Sequence, residues 1–382
     1  MDRGTRFVHT ADWQIGLHAR HIPDDERGEV RAARYDTVRR IADVAREGEA
    51  DFVVVAGDVF EHHQLDRVPL QRAFEALRAF PCEVFLLPGN HDPYTPDALY
   101  RSEWWARECP SHVKVLATRK PIELPSATLL PCPLLERHAS DPTSWLGPSV
   151  GPADRVRVGV AHGGVEEILR GLSGDDELEV HNPIPMGLAD RARLDYLALG
   201  DWHGRLRVND RTWYSGTPEP TRFKEKDPGH VLFVEIDAPR AAPKVSAHRV
   251  SRFTWHCIAA TLTTADHVAA LERQLEEVPN RVDTLVELSL DGRLDLGLRA
   301  RLEHELLPRY RGRFKHLRVR DEKLAVRLTD ADLQSLPQEG WIGRVVESLR
   351  AGTVDASPDD CQEALRMLHD LHARAVATGG VR

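Results

Sequence analysis

Short apolar runs that end abruptly in polar, metal-capable residues recur five times in the first two-thirds of the sequence. Runs such as Phe52-Val53-Val54-Val55-Ala56 are continuously apolar rather than alternating, which is typical of strands covered on both faces. Because the carboxyl ends of parallel strands meet at one edge of a sheet, we expect the polar residues that follow to lie close together. The five runs are residues 6–11, 51–56, 83–87, 155–161 and 194–199.

Two segments between these runs have the apolar spacing of amphipathic helices. Residues 30–47 place Tyr35 and Val38 on one face, and residues 69–80 repeat the pattern. After Asn90, strands follow one another more often without a helix between them, which indicates a second, partly antiparallel sheet. These strands are predicted at residues 113–116, 128–130, 212–214 and 230–236. The sequence therefore predicts an α/β fold with two mixed β-sheets flanked by helices.

The composition changes at residues 237–243, where Ala, Pro and Arg dominate as in a linker or turn. We therefore predict a first domain over residues 1–245. Residues 250–335 follow the order strand, helix, strand, helix, strand, which predicts a second, small α/β domain. The elements are predicted at residues 253–262, 265–278, 282–290, 296–307 and 316–320.

Two apolar stripes at helical spacing predict C-terminal helices over residues 338–377. Trp341, Ile342, Val345, Val346 and Leu349 form one stripe, and Cys361, Ala364, Leu365, Leu368 and Leu371 form the other. Such stripes usually pack on their own domain, and a docking surface for another protein is the alternative.

The 382-residue chain carries 51 Lys and Arg against 60 Asp and Glu, a formal net charge of −9. Binding of a polyanion would therefore need a local basic patch or metal ions. No run approaches the roughly 18 apolar residues of a membrane-spanning helix, and residues 1–10 lack the core of a secretory signal. We expect a cytoplasmic protein without a membrane partner. The five cysteines form no C-x-x-C pair, which argues against disulfides or a thiolate zinc site.

The polar residues after the five runs form a set suited to divalent metal ions. Their carboxylate, amide and imidazole groups are ligands of Mn²⁺, Mg²⁺, Fe²⁺ or Zn²⁺. A carboxylate such as Asp58 can bridge two such ions. The fragments are Asp12-x-Gln14, Gly57-Asp58, Gly89-Asn90-His91-Asp92, His162-Gly163 and Asp201-x-His203.

In this order the fragments resemble the five motifs of calcineurin-like metallophosphoesterases. The segments His9-Thr10-Ala11-Asp12 and Tyr214-Ser215-Gly216-Thr217-Pro218 are most similar to DNA-repair exonucleases of the SbcD type. The resemblance implies a two-sheet sandwich, a capping domain and C-terminal helices that bind the coiled coil of an SMC-like ATPase. It also implies a DNA exonuclease in which two divalent ions support attack of hydroxide on the phosphodiester.

The resemblance further implies a role for each residue of the set. His91 matches the family's catalytic histidine, which orients the phosphate or protonates the leaving oxygen. One ion would be held by Asp12, Asp58 and His203 with Gln14 nearby, and the other by Asp58, Asn90, His162 and Asp201.

Two positions depart from the usual family motifs, which have His in place of Gln14 and of Asp201. Gln14 is at best a neutral ligand, whereas Asp201 adds a negative charge, so we expect Mn²⁺, or else Mg²⁺, rather than Zn²⁺. Glu61-His62-His63 follows Asp58 where some relatives place a histidine that supports the catalytic one. The sequence does not decide whether His62, His63 or neither has this role.

Residues 301–327 carry nine Lys or Arg against four acids, a local charge of +5 in an acidic chain. Tyr310 and Phe314 lie among these cations, as in a surface that grips a polyanion. The alternative is an ordinary solvated surface. The predicted DNA contacts are Arg309, Arg311, Arg313, Lys315 and Arg318.

Two other functions stay open at this point. A small-molecule phosphoesterase acting on nucleotides is compatible with the motifs, and Gln14 and Asp201 suggest a non-catalytic metal-binding scaffold. The second domain and the basic stretch favour DNA, and the presence of Asp58, Asn90 and His91 favours catalysis. The sequence does not decide whether the protein forms a homodimer, in which direction it cuts, or whether it has endonuclease activity. It also does not decide between single- and double-stranded DNA, or between DNA repair and defence against foreign DNA.

Overall fold

The fold was obtained as a computed structural model, and the structure describes residues 4–173 and 180–377. Contacts divide the chain into two units, Met1–Thr254 and Trp255–Arg382. The first unit contains all five motif fragments. The second unit contains both the small α/β domain and the C-terminal helices.

The first unit alternates strands and helices at its start and is mostly β-structure afterwards. Its strands are β1 (Thr5–Thr10), β2 (Phe52–Val55), β3 (Glu83–Leu86), β4 (Val113–Val115), β5 (Ile122–Glu123), β6 (Ala127–Cys132), β7 (Val156–His162), β8 (Tyr196–Gly200), β9 (Leu206–Arg207), β10 (Thr212–Tyr214), β11 (His230–Ile236) and β12 (Lys244–Arg249). Its helices are α1 (Asp24–Glu47), α2 (Arg67–Leu77), α3 (Glu103–Glu108), α4 (Glu166–Ser173) and α5 (Leu188–Arg191).

These strands form two mixed sheets, which confirms the predicted fold class. The first sheet has the order β12-β11-β1-β2-β3-β4, in which β1 to β4 are parallel and β11 pairs antiparallel with both β1 and β12. The second has the order β5-β6-β7-β8-β10-β9, with β5 and β9 as antiparallel edge strands. Helices cover the outer faces.

Apolar side chains fill three layers of this sandwich. Phe7, Val54 and Val158 pack between the two sheets. Ile41 of α1 packs on the outer face of the first sheet, and Leu188 of α5 packs on that of the second. Because both faces of the central strands are buried, their sequences are continuously apolar.

The carboxyl ends of β1, β2, β7 and β8 meet at one edge of the sandwich. Ala56 N donates to Thr10 O at 2.8 Å within the first sheet. Gly163 N donates to Gly200 O at 3.2 Å within the second. His162 Nδ1 donates to Ala56 O at 2.8 Å and so joins the two sheets. The loops that carry the motif fragments therefore lie side by side.

Residues 237–243 form the turn between β11 and β12. β12 pairs with β11 from Lys244 to Arg249, so the chain stays in the first sheet beyond residue 245. Its side chains are almost all exposed, and for this reason no apolar pattern reveals the strand in the sequence.

The second unit is a three-stranded sheet of order β13-β14-β15 with helices packed on it. Its strands are β13 (Thr254–Leu262), β14 (Thr284–Leu294) and β15 (His316–Val326). Its helices are α6 (Ala265–Glu277), α7 (Leu296–Arg301), α8 (Leu307–Arg311), α9 (Asp330–Gln334), α10 (Gly340–Ala351) and α11 (Pro358–Ala377).

The helix predicted over residues 296–307 is instead a longer run in which a π segment, Leu302–Leu306, separates α7 from α8. Pro308 has no N–H to donate, so the hydrogen-bond register of the helix changes around it. α10 and α11 follow the two predicted apolar stripes, and Val346 and Leu365 are buried between them and α9. Among the described helices, none is long and apolar enough to cross a membrane.

Candidate active site

Four motif residues have a left-handed backbone at the ends of their strands. The φ angle is 54° at Asp12, 44° at Gln14, 52° at Asp58 and 95° at Asp201. Non-glycine residues rarely adopt positive φ because the Cβ atom crowds the backbone. Such strained positions cluster at functional sites. Here the sharp turns bring together side chains that belong to separate strands.

Two glycines allow the loops to approach one another closely. A Cβ atom at Gly57, where φ is 97°, would lie 2.0 Å from His162 Nδ1. A Cβ atom at Gly89 would lie 2.2 Å from Asp58 Oδ1. A side chain at either position would therefore displace His162 or Asp58.

Asp12, Asp58 and His162 form a buried centre. One ligand atom from each lies within 4.8 Å of the others. His162 Nε2 is 3.4 Å from Asp58 Oδ1 and 2.7 Å from Asn90 Oδ1. Asp201 N donates to Asp12 Oδ1 at 3.1 Å. His162 Nε2 also lies 3.7 Å from Asp201 Oδ1. The structure thus places five of the seven predicted metal ligands around one centre.

His203 and Gln14 adjoin this centre. His203 Nε2 lies 3.2 Å from Gln14 Nε2. The other ring nitrogen, Nδ1, donates to Glu225 Oε1 at 2.7 Å, and Thr221 N donates to Glu225 Oε2 at 2.9 Å. The buried carboxylate of Glu225 therefore fixes the imidazole so that Nε2 faces Gln14.

Burial and mutual charge shift the ionisation of the centre. Burial raises the pKa of Asp12 to about 7, against the opposing effect of His203 and His162. Burial also acts to raise the pKa of Asp58, but attraction to His162 and His91 outweighs it and holds that pKa below its usual value. Burial acts to lower the pKa of His162, but attraction to Asp58 and Asp12 raises it well above normal. A metal cation bound at the centre would displace the protons that the raised pKa values favour on Asp12 and His162.

The donor set fits two hard or borderline divalent ions. His162 and His203 each donate Nδ1–H to an oxygen, so each ring keeps Nε2 for a metal. Asp12, Asp58 and Asp201 supply a charge of −3 against +4 from two divalent cations. Within residues 4–173 and 180–377, Asp12, Asp58 and His162 are the group of His, Cys, Asp or Glu with metal-ligand spacing.

His91 lies at the wall of the cleft above Asp58. Its Nδ1 is 3.1 Å from Glu61 O, a carbonyl that can only accept, so Nδ1 carries the proton. Its Nε2 is 4.0 Å from Asp58 Oδ2. His63 Nε2 donates to Pro93 O at 2.8 Å, which gives that histidine a structural position in a loop. His62 instead stacks on His18, with ring centroids 6.1 Å apart.

Asp92, the last residue of the Gly-Asn-His-Asp fragment, is buried beneath the cleft. Its carboxylate accepts from Gly89 N at 2.8 Å, from Phe60 N at 3.0 Å and from Tyr100 Oη. Burial raises the pKa of Asp92 to about 6. Asp92 therefore ties the loop of His91 to the segment after β2.

An open cleft of about 350 Å³ lies over the centre. Its walls include Trp202 and the exposed side chains of Arg222 and Lys224. Neither cation has a carboxylate partner among the described residues. The cleft therefore combines metal-ligand side chains with an unneutralised positive rim.

Glu225, Trp202 and the position of Asp92 were not predicted from the sequence. Between residues 222 and 226, exposed cations alternate with Phe223 and Glu225. This alternation is a signal that could have indicated Glu225, because alternate residues of an extended chain face opposite sides. Nothing in the sequence separates Trp202 from an ordinary core tryptophan.

In the second unit, the predicted DNA contacts are largely paired with acids. Arg309, Arg313 and Arg318 contact Glu272, Glu276 and Glu287 at N–O distances of 2.5, 2.9 and 3.4 Å, respectively. Tyr310 and Phe314 are 0% and 5% exposed and belong to the core of this unit, so neither ring is available for stacking. Arg311 and Lys315 lie on the same segment.

Comparison with known proteins agrees with this geometry. The family described as calcineurin-like phosphoesterase matches residues 5–234, which is more than half of the chain. The fold and the centre thus define a metal-dependent phosphoester hydrolase. The chain belongs to the calcineurin-like phosphoesterase family.

Two relatives are informative. The chain is 23% identical over 293 residues to a Bacillus subtilis (strain 168) protein named "Uncharacterized metallophosphoesterase YhaO", a match over 71% of this chain and 66% of that protein. It is 36% identical over 95 residues to the "DNA double-strand break repair protein Mre11" of Archaeoglobus fulgidus, a match over 24% of this chain and 20% of that protein. Each match thus spans less than two thirds of the relative.

Proposed function

We propose that this protein is a DNA exonuclease of the SbcD type that hydrolyses phosphodiesters with two divalent ions. The observation that carries the proposal is the convergence of Asp12, Asp58 and His162 beneath an open cleft that also contains His91. When bound, the ions polarise the phosphate and lower the pKa of the attacking water. Asp58, Asn90, His162 and Asp201 would hold one ion, and Asp12, Asp58 and His203 the other, with Gln14 nearby.

His91 supplies the proton step. Its Nδ1–H is held by Glu61 O, so Nε2 is the atom that faces the cleft and delivers a proton to the leaving oxygen. The backbone N–H of His91 donates to Asp58 Oδ1 at 2.9 Å, which couples its position to the metal ligands.

Three observations favour DNA as the substrate. The cleft is open rather than closed over a small ligand. Arg222 and Lys224 at its rim suit the phosphates of a chain that extends past the cut. One relative carries the name of a DNA double-strand break repair protein, and its similarity covers part of this chain.

A small phosphodiester is the second candidate. It is favoured by the pairing of Arg309 with Glu272 and of Arg313 with Glu276, which leaves the second unit with less free positive charge than its sequence suggests. Activity on a chromogenic diester without activity on long DNA would select this candidate.

The central test is hydrolysis of end-labelled single- and double-stranded DNA with Mn²⁺, Mg²⁺ or EDTA. The wild-type protein should shorten DNA with Mn²⁺, or with Mg²⁺, and EDTA should abolish the reaction. Asp58→Ala and His91→Ala should each lower the rate by at least about 10²-fold, because each removes a group that acts on the reacting phosphate. Asp210→Asn, a change at an exposed turn, serves as the control. Metal binding without hydrolysis of any diester would contradict the proposal and favour a scaffold.

We also propose that α10 and α11 dock on the coiled coil of an SMC-like ATPase. Trp341 of α10 and Leu371 of α11 are 64% and 60% exposed, which is unusual for large apolar side chains. The double variant Trp341→Ser/Leu371→Ser should lose association with the ATPase in co-purification and keep DNA hydrolysis. Val282→Ser, at an exposed apolar residue elsewhere in the second unit, is the matched control. Unchanged association of the double variant would contradict this proposal.

A further inference from the structure

Trp202 stands between Asp201 and His203 in the chain, and its indole forms part of the cleft wall. One side of the ring packs against the apolar cluster that covers the outer face of the second sheet. The ring is half-buried, and within the described residues no hydrogen bond or aromatic contact engages it. An aromatic surface is therefore available within one residue of two predicted metal ligands.

Gly204 holds the backbone tightly against this indole. A Cβ atom at Gly204 would lie 3.0 Å from Trp202 Nε1 and 2.0 Å from Lys226 O. The ring is thus wedged between a close backbone and the apolar cluster, which restricts its rotamers. A rigid aromatic face loses little conformational entropy when a ligand stacks on it.

Arg222 and Lys224 lie on the wall of the same cleft and are exposed without carboxylate partners among the described residues. An aromatic face together with unpaired cations is the combination that binds single-stranded nucleic acid, since the face takes a base and the cations take phosphates. A ligand made of phosphate alone would leave the indole unused. A nucleotide uses the metal ligands, the cations and the indole together.

We propose that Trp202 stacks on an unpaired nucleobase attached to the scissile phosphate, while Arg222 and Lys224 bind the neighbouring phosphate. This inference rests on the proposed function and narrows its substrate to an unpaired or frayed DNA end. A base that stacks on Trp202 has left its partner strand, so a blunt duplex must open before it is cut.

The test compares two single-stranded oligonucleotides of the same length with Mn²⁺. One is intact, and the other carries abasic tetrahydrofuran residues at the two terminal positions of each end, so that cleavage polarity does not matter. Wild-type protein should show kcat/KM roughly 10-fold higher on the intact oligonucleotide, mostly through a lower KM, because stacking stabilises the bound substrate. Trp202→Ala should reduce this ratio to within about twofold, and Trp202→Phe should keep most of it.

The ratio is measured within each variant, so a general loss of metal binding in Trp202→Ala cancels. Trp202→Ala with an undiminished ratio would overturn the inference, as would equal cleavage of both oligonucleotides by the wild type. Neither result would contradict the proposed nuclease function. A wild-type protein that cuts double-stranded DNA but neither oligonucleotide would also overturn the inference. A wild-type protein that cuts neither oligonucleotide nor double-stranded DNA would instead refute the proposed function, and the inference with it.

Discussion

The strand-end centre and the basic stretch at residues 301–327 both look like functional clusters in the sequence, but they are built differently. In the centre, Asp12 and Asp58 are 0% and 2% exposed and are held by strained backbone turns. In the basic stretch, exposed arginines contact acids from other elements, as Arg309 contacts Glu272. The centre thus holds carboxylate and imidazole groups together in a buried space, whereas the arginines of the basic stretch form ion pairs at the surface.

The difference shows which sequence clusters carry chemistry. Burial makes it costly to bring carboxylates together, and such groups persist where a cation or a reaction needs them. Surface ion pairs change the free energy of folding only slightly, so arginines can accumulate at a surface without a ligand. A run of arginines is therefore weak evidence for a binding site. The comparison therefore assigns catalysis to the centre and predicts that substrate contacts lie at its rim.

Outside the proposed metal ligands and His91, removal of the carboxylate that accepts the His203 Nδ1 proton should produce the largest effect. Glu225→Gln removes the anion that accepts the His203 Nδ1 proton, and loss of such a partner typically lowers metal affinity by about 10- to 100-fold. The Mn²⁺ concentration for half-maximal activity should rise by this factor, while the rate at saturating Mn²⁺ falls by less. Asp227→Asn, at an exposed acid of the same loop, is the control. An unchanged Mn²⁺ requirement would show that Glu225 has only a structural position.

The contrast between the rim of the cleft and the basic stretch can be tested by removing cations from each. Arg222→Ala/Lys224→Ala should raise KM for DNA by roughly 10-fold at 0.1 M salt and weaken its salt dependence, because two phosphate contacts are lost. Arg309→Ala/Arg313→Ala should change KM by less than about twofold, because acids of the second unit already neutralise these side chains. A larger increase in KM for Arg309→Ala/Arg313→Ala than for Arg222→Ala/Lys224→Ala would indicate that DNA binds to residues 301–327 instead.

The residues predicted as metal ligands lie close together because the sheet imposes their geometry. Once the runs before Asp12 and Asp58 are recognised as neighbouring parallel strands, their carboxyl ends must meet. The two sheets and most of the helices follow from the same apolar periodicity. β12 was not predicted, because an exposed edge strand has no apolar periodicity.

The remaining features depend on contacts that sequence order does not encode. Glu225 is 22 residues from His203 and meets it only through the fold of the loop. Glu272 is 37 residues from Arg309, and a charge count along residues 301–327 cannot include it. Tyr310 is polar enough for a surface, yet its ring is fully buried. Charge and aromatic content along a segment therefore predict a binding surface poorly until the partners are known.

The smallest effect concerns a buried histidine in the first unit. His9 Nε2 donates to Leu199 O at 3.1 Å, and Tyr196 Oη, 3.0 Å from Nδ1, donates to that nitrogen. Burial lowers the pKa of His9 to about 3, from 6.5 in an unfolded chain. The unfolded chain thus binds a proton that the folded protein does not, and stability present above pH 6.5 is lost as the pH falls toward 3.

Urea unfolding with EDTA, followed by tryptophan fluorescence, measures this loss. The wild-type free energy of unfolding should fall by about 1 kcal/mol more between pH 6 and pH 5 than that of His9→Gln, which cannot titrate. His304→Gln, at an exposed histidine of the second unit, is the control variant. Equal slopes for the wild type and His9→Gln would mean that His9 is protonated in the folded protein. The contrast between buried and surface ionisable groups would then hold for the metal centre alone.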